Sequence, residues 1–125
     1  MGTMTRRAML QALAGQALAV GTAQGQSRRH QPPKRLSPDA VTHDWPSFLG
    51  PTHDAVSTET HLSRTLPAPR VWDFEKGTGY TSPAIAGDHL VFFHRVDDRE
   101  VVECLHPETG ESRWQFRYAT TYRDR

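Results

Sequence analysis

The sequence predicts an all-β chain made of short antiparallel strands, and two observations support this prediction. Matching residues recur at a constant offset of 42 positions in the second half of the chain. Between them lie four short apolar segments separated by turn-forming residues, which is the pattern of an antiparallel sheet. A period of about 40–45 residues is typical of the four-stranded blades of β-propellers. We therefore predict one such blade and one orphan strand, preceded by a signal peptide and an irregular Pro-rich segment.

The repeat rests on four pairs of residues that share the same offset. The pairs are Trp72 with Trp114, Phe74 with Phe116, Thr78 with Thr120, and Tyr80 with Tyr122. Two aromatic pairs could arise by chance, whereas four pairs at one offset indicate two equivalent segments of the fold.

Four strands are predicted within the blade region, residues 71–122. They cover residues 80–86, 89–96, 101–105 and 113–118, with turns at 87–88, 97–99 and 107–111. Pro83 restricts the start of the first strand. The second strand is apolar on both faces and therefore needs cover on both sides. Gly110 suits a left-handed turn position.

The last predicted strand alternates between aromatic and polar side chains. Because neighbouring side chains of a strand point to opposite faces, Trp114, Phe116 and Tyr118 share one face. We expect this aromatic face to contact a neighbouring blade.

A short motif makes the resemblance to a family specific. Residues 105–114 read Leu-His-Pro-Glu-Thr-Gly-Glu-Ser-Arg-Trp and resemble the repeat of quinoprotein-like (pyrroloquinoline-quinone-type) β-propellers. That repeat has an Asp, then Thr-Gly, then a Trp four residues after the Gly, and Thr109, Gly110 and Trp114 match it. His106 stands where the Asp is usual, so we expect the turn to lack one side-chain cap. Segments 44–51 and 79–84 resemble the same family, and the likeness covers roughly residues 44–122.

The resemblance also implies how the repeat is used. Trp114 would dock one blade on the next, which is a structural role and does not imply that quinone is bound. Trp72 would lie on an orphan fourth strand, because the irregular lead-in, residues 44–70, supplies no three strands before it. A ring needs about 4–8 blades. We therefore expect an N-terminal piece of a longer protein, or an incomplete gene product, with the remaining blades as its partners.

The first 23 residues predict an export signal. Arg6 and Arg7 precede a modest apolar stretch that is too short to span a bilayer, and small residues near its end suit cleavage after Ala23, with Gly25 as the alternative. The arginine pair resembles a twin-arginine signal, and general secretion stays open. Either route predicts a periplasmic or extracellular protein.

Composition limits the possible partners. Residues 24–43 predict a flexible, weakly basic linker, because its adjacent prolines favour extended polyproline geometry; a polyanion-binding tail is the alternative. The net charge of +1 gives no reason to expect nucleic acid as a partner. Cys104 is the only cysteine, so no intrachain disulfide can form, and we expect it to act as a small apolar residue in a strand.

No residue pattern predicts catalysis or a metal site in this chain. The seven histidines match no compact ligand motif, and a surface or packing role is favoured for them. The paired carboxylates Asp97 and Asp98 lie in a predicted turn, where such groups are usually solvated. Asp73 and Glu75 are a second pair that could in principle serve as catalytic carboxylates.

Two functional classes remain. The first is a non-catalytic propeller that presents its rim or channel to a protein or small-molecule ligand, and this binding or scaffold role is the one we favour. The second, implied by the family resemblance, is a quinoprotein dehydrogenase that holds pyrroloquinoline quinone with calcium and oxidises an alcohol or a sugar. Such enzymes take their cofactor ligands from several blades, so no cofactor-binding residue can be assigned to this chain. The quinone and calcium are expected only in a full-length protein.

Overall fold

The computed structural model of the chain describes residues 25–121. All regular elements in this part are β-strands, and it contains no helix. The strands are β1 (Ser27–Arg29), β2 (Trp72–Phe74), β3 (Ala84–Ala86), β4 (His89–Val96), β5 (Arg99–Leu105) and β6 (Ser112–Ala119). The prediction of an all-β, antiparallel chain is confirmed for these residues. Four residues named above, Arg6, Arg7, Ala23 and Tyr122, lie outside the described part.

The larger sheet has four antiparallel strands in the order β3-β4-β5-β6, so each strand pairs with its neighbour in sequence. β4 and β5 form its longest continuous ladder, from Leu90 opposite Leu105 to Val96 opposite Arg99. β4 has the predicted bounds, and β5 and β6 extend slightly beyond theirs. β3 begins only at Ala84, after Pro83, because proline has no N–H to donate to a ladder.

The outer edge of β3 is covered by the lead-in segment. Trp45 and Ile85 exchange two backbone hydrogen bonds of 2.8 and 2.9 Å. The Trp45 ring lies over Gly50, where a Cβ would come within 2.6 Å of it. Asp44 accepts a hydrogen bond of 2.8 Å from the Gly87 N–H at the β3–β4 turn. The lead-in thus protects one edge of the sheet from solvent.

A second, smaller sheet pairs β1 with β2 in antiparallel register, Arg28 opposite Asp73. The strand predicted as an orphan therefore has a partner, which comes from the segment predicted as a linker. The three residues of β1 are all exposed, so they carry no apolar alternation from which a strand could be predicted. Gly25 allows this approach, because a Cβ there would lie 1.9 Å from the Phe74 ring.

The core is small and centres on β5. The fully buried hydrophobic residues of the described part are Val101, Cys104 and Leu105. β4 is half-buried along most of its length, including its apolar run. Residues 25–121 contain no helix long and apolar enough to cross a membrane.

Candidate functional site

The contact between the two sheets is built around Trp72. Its indole Nε1 donates a hydrogen bond of 2.9 Å to the carbonyl oxygen of Pro107, at the turn between β5 and β6. The indole ring lies against Gly110, and a Cβ at that position would come within 2.7 Å of the ring carbons. One tryptophan of the repeat therefore contacts the turn that precedes the other.

The acceptor turn is closed by its own hydrogen bonds. The Gly110 N–H donates to the His106 carbonyl and the His106 N–H to that of Glu111, both at 2.8 Å. Gly110 has φ of +71°, as predicted from its position in the turn. The expectation that His106 leaves the turn without a side-chain cap is wrong. Its Nδ1 accepts the Glu108 N–H at 3.2 Å, because imidazole, like carboxylate, offers an acceptor two residues upstream of that amide.

Phe74 extends the same contact to β4. Its ring meets Phe92 edge-on, with ring centroids 5.5 Å apart, and lies 6.2 Å from the His94 ring. Such edge-to-face pairs are favourable beyond the area that they bury. Trp72 and Phe74 therefore contact the four-stranded sheet from one side.

A buried ionisable pair lies beside this aromatic cluster. His94 of β4 and Glu103 of β5 are each only 1% exposed, and His94 Nε2 is 3.9 Å from Glu103 Oε2. The Gly77 N–H donates to His94 Nδ1 at 2.9 Å, and Ser112 Oγ donates to Glu103 Oε1 at 2.8 Å. Burial lowers the pKa of His94 and raises the pKa of Glu103, because it disfavours both charged forms.

The opposite side of the sheet is open at β6. Trp114, Phe116 and Tyr118 are 46%, 60% and 43% exposed. The Tyr118 ring lies 6.1 Å from that of Phe116 and 6.4 Å from that of Phe93 of β4, measured between centroids. Trp114, Phe116 and Tyr118 make up the β6 aromatic face. A contiguous exposed apolar surface of this kind marks an interaction site more often than scattered apolar residues do.

A shallow groove of about 870 Å³ adjoins this face at Tyr118. Phe93, Tyr118 and Tyr80 contribute its aromatic wall, and Tyr80 is 98% exposed. Arg95 also lines the groove and donates to Glu100 Oε1 at 2.9 Å. Because this guanidinium is already bonded to a carboxylate, it is less available to a ligand than a solvated one.

The predicted site residues that the structure describes fall into three groups. The structure brings Trp72, Phe74 and Gly110 together at the contact between the sheets, with Thr109 in the adjoining turn, where its Oγ1 accepts the Glu111 N–H at 3.3 Å. Trp114 and Phe116 lie on the β6 aromatic face, and Tyr80 lies in the groove. A surface or packing role is expected for every histidine from the sequence, and the contact of His94 with Glu103 is not predicted, because the two residues are nine positions apart on different strands.

Metal ligands, a reactive thiol and catalytic carboxylates are the other candidate groups among residues 25–121. No group of three or more His, Cys, Asp or Glu side chains there could hold a metal ion. Cys104 is buried, and burial raises the pKa of its thiol, which disfavours the reactive thiolate. The Asp73 carboxylate lies 2.8 Å from His30 Nε2, just after β1, and 3.2 Å from Arg70 Nη1, just before β2, so it helps to hold the two strands together.

Comparison of the chain with protein-family models, with curated proteins and with solved structures gives no match.

Proposed function

We propose that this chain is a repeat unit of an exported, quinoprotein-like β-propeller that acts as a non-catalytic binding or scaffold module. The observation that carries the proposal is a difference between the two tryptophans of the repeat: one is packed against a turn, and the other is exposed. Trp72 contacts the turn at Pro107 and Gly110, whereas Trp114, at the equivalent repeat position, is 46% exposed.

Repetition explains why these two tryptophans differ. If the second repeat position works as the first does, Trp114 needs the Gly-containing turn of a further four-stranded sheet. Such a sheet would cover the β6 aromatic face, as β2 covers the opposite side. A repeat unit that exposes an apolar face gains stability by stacking on its neighbours.

The binding role follows from what stacking leaves accessible. Loops and turns at the ends of strands carry recognition in most folds, because they tolerate variation that the stacked strands do not. We expect a protein or small-molecule ligand to bind at this rim rather than at the stacked faces.

The alternative is the N-terminal part of a quinone-dependent dehydrogenase that oxidises alcohols or sugars. That activity needs cofactor ligands from several blades, with pyrroloquinoline quinone and calcium in the complete ring. No described residue favours it over the binding role.

The coding sequence downstream of this chain tests the repeat proposal. We expect further Thr-Gly and Trp pairs at a spacing of about 42 residues. A downstream sequence that contains no such pairs, or one of unrelated helical pattern, would contradict it.

Export is tested separately, on protein recovered from the periplasm or the medium. N-terminal sequencing is expected to find cleavage after Ala23, with Gly25 as the alternative site. An intact Met1 on a cytoplasmic protein would contradict export and leave the repeat proposal unaffected.

A further inference from the structure

The buried pair formed by His94 and Glu103 lies where the segment after β2 meets the four-stranded sheet. Both side chains are 1% exposed, and an ionisable pair in a region with such a small apolar core is costly unless it is well bonded. Glu103 is bonded through Ser112. His94 Nε2 has no hydrogen-bond partner in the described part of the chain.

The hydrogen bond from Gly77 determines the tautomer of His94. Since the Gly77 N–H donates to Nδ1 at 2.9 Å, Nδ1 carries no proton and neutral His94 has its proton on Nε2. Nε2 points towards Glu103 Oε2 at 3.9 Å, which is too long for a hydrogen bond. The only basic nitrogen of this ring is therefore the one that holds Gly77.

Gly77 in turn holds the segment that follows β2. A Cβ at Gly77 would lie 1.9 Å from the Arg95 carbonyl oxygen, so no larger residue allows this approach. Thr78 and Arg95 exchange two backbone hydrogen bonds of 3.0 and 2.7 Å directly beside it. Residues 72–79 are thus attached to β4 at their C-terminal end through His94, and to the β5–β6 turn through Trp72.

Charged groups reach His94 from each element around it. Lys76 approaches from the segment after β2 and Arg117 from β6, and both disfavour an imidazolium. Glu100 of β5 favours it but is already bonded to Arg95, whereas Glu103, 3.9 Å from Nε2, lies where burial disfavours its own charged form. On β2 itself, Asp73 is bonded to His30 and Arg70 and serves a different contact.

We propose that protonation of His94 releases residues 72–79, together with β1, from the four-stranded sheet, so that the contact between the two sheets is proton-sensitive. The proton goes to Nδ1, the only ring nitrogen with a free electron pair. Two N–H groups, those of Nδ1 and Gly77, then face each other and their hydrogen bond is lost. Release exposes the Phe74 and Phe92 rings and frees Trp72 from the turn. This inference does not rest on the proposed function.

Amide hydrogen exchange of the full chain tests the proposal. The measurement is made at low temperature to slow exchange. Sodium sulfate is added because it strengthens the burial of apolar groups. The Gly77 amide is compared with the Val102 amide of β5, after correction for intrinsic exchange rates. Between about pH 7.5 and about pH 5 we expect opening at Gly77 to increase roughly tenfold or more relative to Val102. Equal changes at both amides, or no protection of Gly77 at the higher pH, would overturn the proposal.

Two variants with the same substitution separate His94 from other histidines. In His94→Gln the amide oxygen can still accept the Gly77 N–H but does not titrate, so we expect the pH effect at Gly77 to fall below about twofold. His89→Gln, on an exposed position of the same strand, should keep the effect of the native chain. A pH effect that persists in His94→Gln contradicts the proposal.

A measurement on the native chain covers the case in which His94→Gln fails to fold. The ¹⁵N shifts of the imidazole report the tautomer directly, and we expect an unprotonated Nδ1 at about pH 7.5. The Gly77 amide signal should titrate with the same midpoint as the ring. A protonated Nδ1 at neutral pH, or a Gly77 signal that does not follow the ring, would overturn the proposal.

Discussion

At the scale of single residues, the contact between Trp72 and Gly110 is the most constrained point of the structure. Gly110 is needed twice, for its φ of +71° and for the absence of a Cβ beneath the indole. The sequence predicts the first requirement, because Gly follows Thr in a polar turn. The second depends on a residue 38 positions upstream in the chain, and no local pattern reveals it.

Replacing Gly110 by alanine is expected to destabilise the chain by about 2–4 kcal/mol, because backbone strain adds to a clash with Trp72. Gly87→Ala is the matched control, since Gly87 has φ of +54° but open space around it. It should cost only the strain, about 1–2 kcal/mol. Urea unfolding measures both. Equal losses in the two variants would contradict the contact with Trp72.

The buried pair predicts opposite pH dependences for its two members. The pKa of His94 is lowered on folding, so its contribution is complete above the ordinary His value of about 6.5 and is lost as pH falls below it. The pKa of Glu103 is raised, so its contribution is complete below its ordinary value and is lost as pH rises through the folded value. Urea unfolding should therefore show stability lost through His94 as pH falls below about 6.5, and stability lost through Glu103 as pH rises above its ordinary pKa of about 4.5.

Glu103→Gln removes the loss of stability that Glu103 causes as pH rises. Glutamine keeps an acceptor for Ser112 and does not ionise, so the variant should be more stable than the native chain at neutral pH. The advantage should shrink as pH falls towards the ordinary pKa of Glu, where the native side chain is already protonated. A constant difference at every pH would show that Glu103 is not buried as described.

At the scale of elements, local sequence predicts the large sheet well and the small one poorly. β4 carries a continuous apolar run between two turns, and its predicted bounds match those observed. β6 shows clear alternation. β1 consists of Ser-Arg-Arg, entirely exposed, and exists because β2 offers it an edge. Its strand conformation comes from tertiary pairing rather than from propensity.

Charge at the β1–β2 pair gives an element-scale prediction. Arg28 lies opposite Asp73, whose pKa is lowered chiefly by its hydrogen bond with His30, with a further contribution from Arg28. Arg28→Glu should raise the pKa of Asp73 and speed the exchange of β1 amides. Arg29→Glu, opposite Trp72, is the control and should move that pKa less. Carboxyl NMR titration measures the shift, and equal shifts in both variants would contradict the register.

At the scale of the whole molecule, a small core coexists with an exposed aromatic face. The buried hydrophobic residues of the described part are three, all on β5, whereas the β6 aromatic face is largely open. The sequence predicts this asymmetry, because alternation places three aromatic residues on one face of β6. The sequence does not predict that Trp72 and Phe74 cover the other face of the four-stranded sheet, because that contact depends on how the two sheets meet.

Self-association of the isolated chain should follow from that face. Phe116→Lys is expected to weaken concentration-dependent association about tenfold or more, since it places a charge in the middle of the apolar surface. Phe48→Lys is the control, because Phe48 is equally large and 77% exposed away from β6. Sedimentation equilibrium measures both variants. Association that is unaffected by Phe116→Lys would place the contact elsewhere.

The central claim is that Trp114 receives a further sheet as Trp72 contacts the one described. The most direct test is a tandem chain in which a copy of residues 81–121 follows directly after Tyr122, so that Trp114 precedes the added Gly by 38 residues, as Trp72 precedes Gly110, with acrylamide quenching of Trp114 fluorescence as the measurement. Trp45 and Trp72 are replaced by phenylalanine in both the single and the tandem chain, along with the Trp114 equivalent of the added repeat, so that one indole reports. We expect Trp114 to be protected from quenching in the tandem chain, and Gly110→Ala in the added repeat to remove that protection. Equal quenching of the single and tandem chains would contradict it.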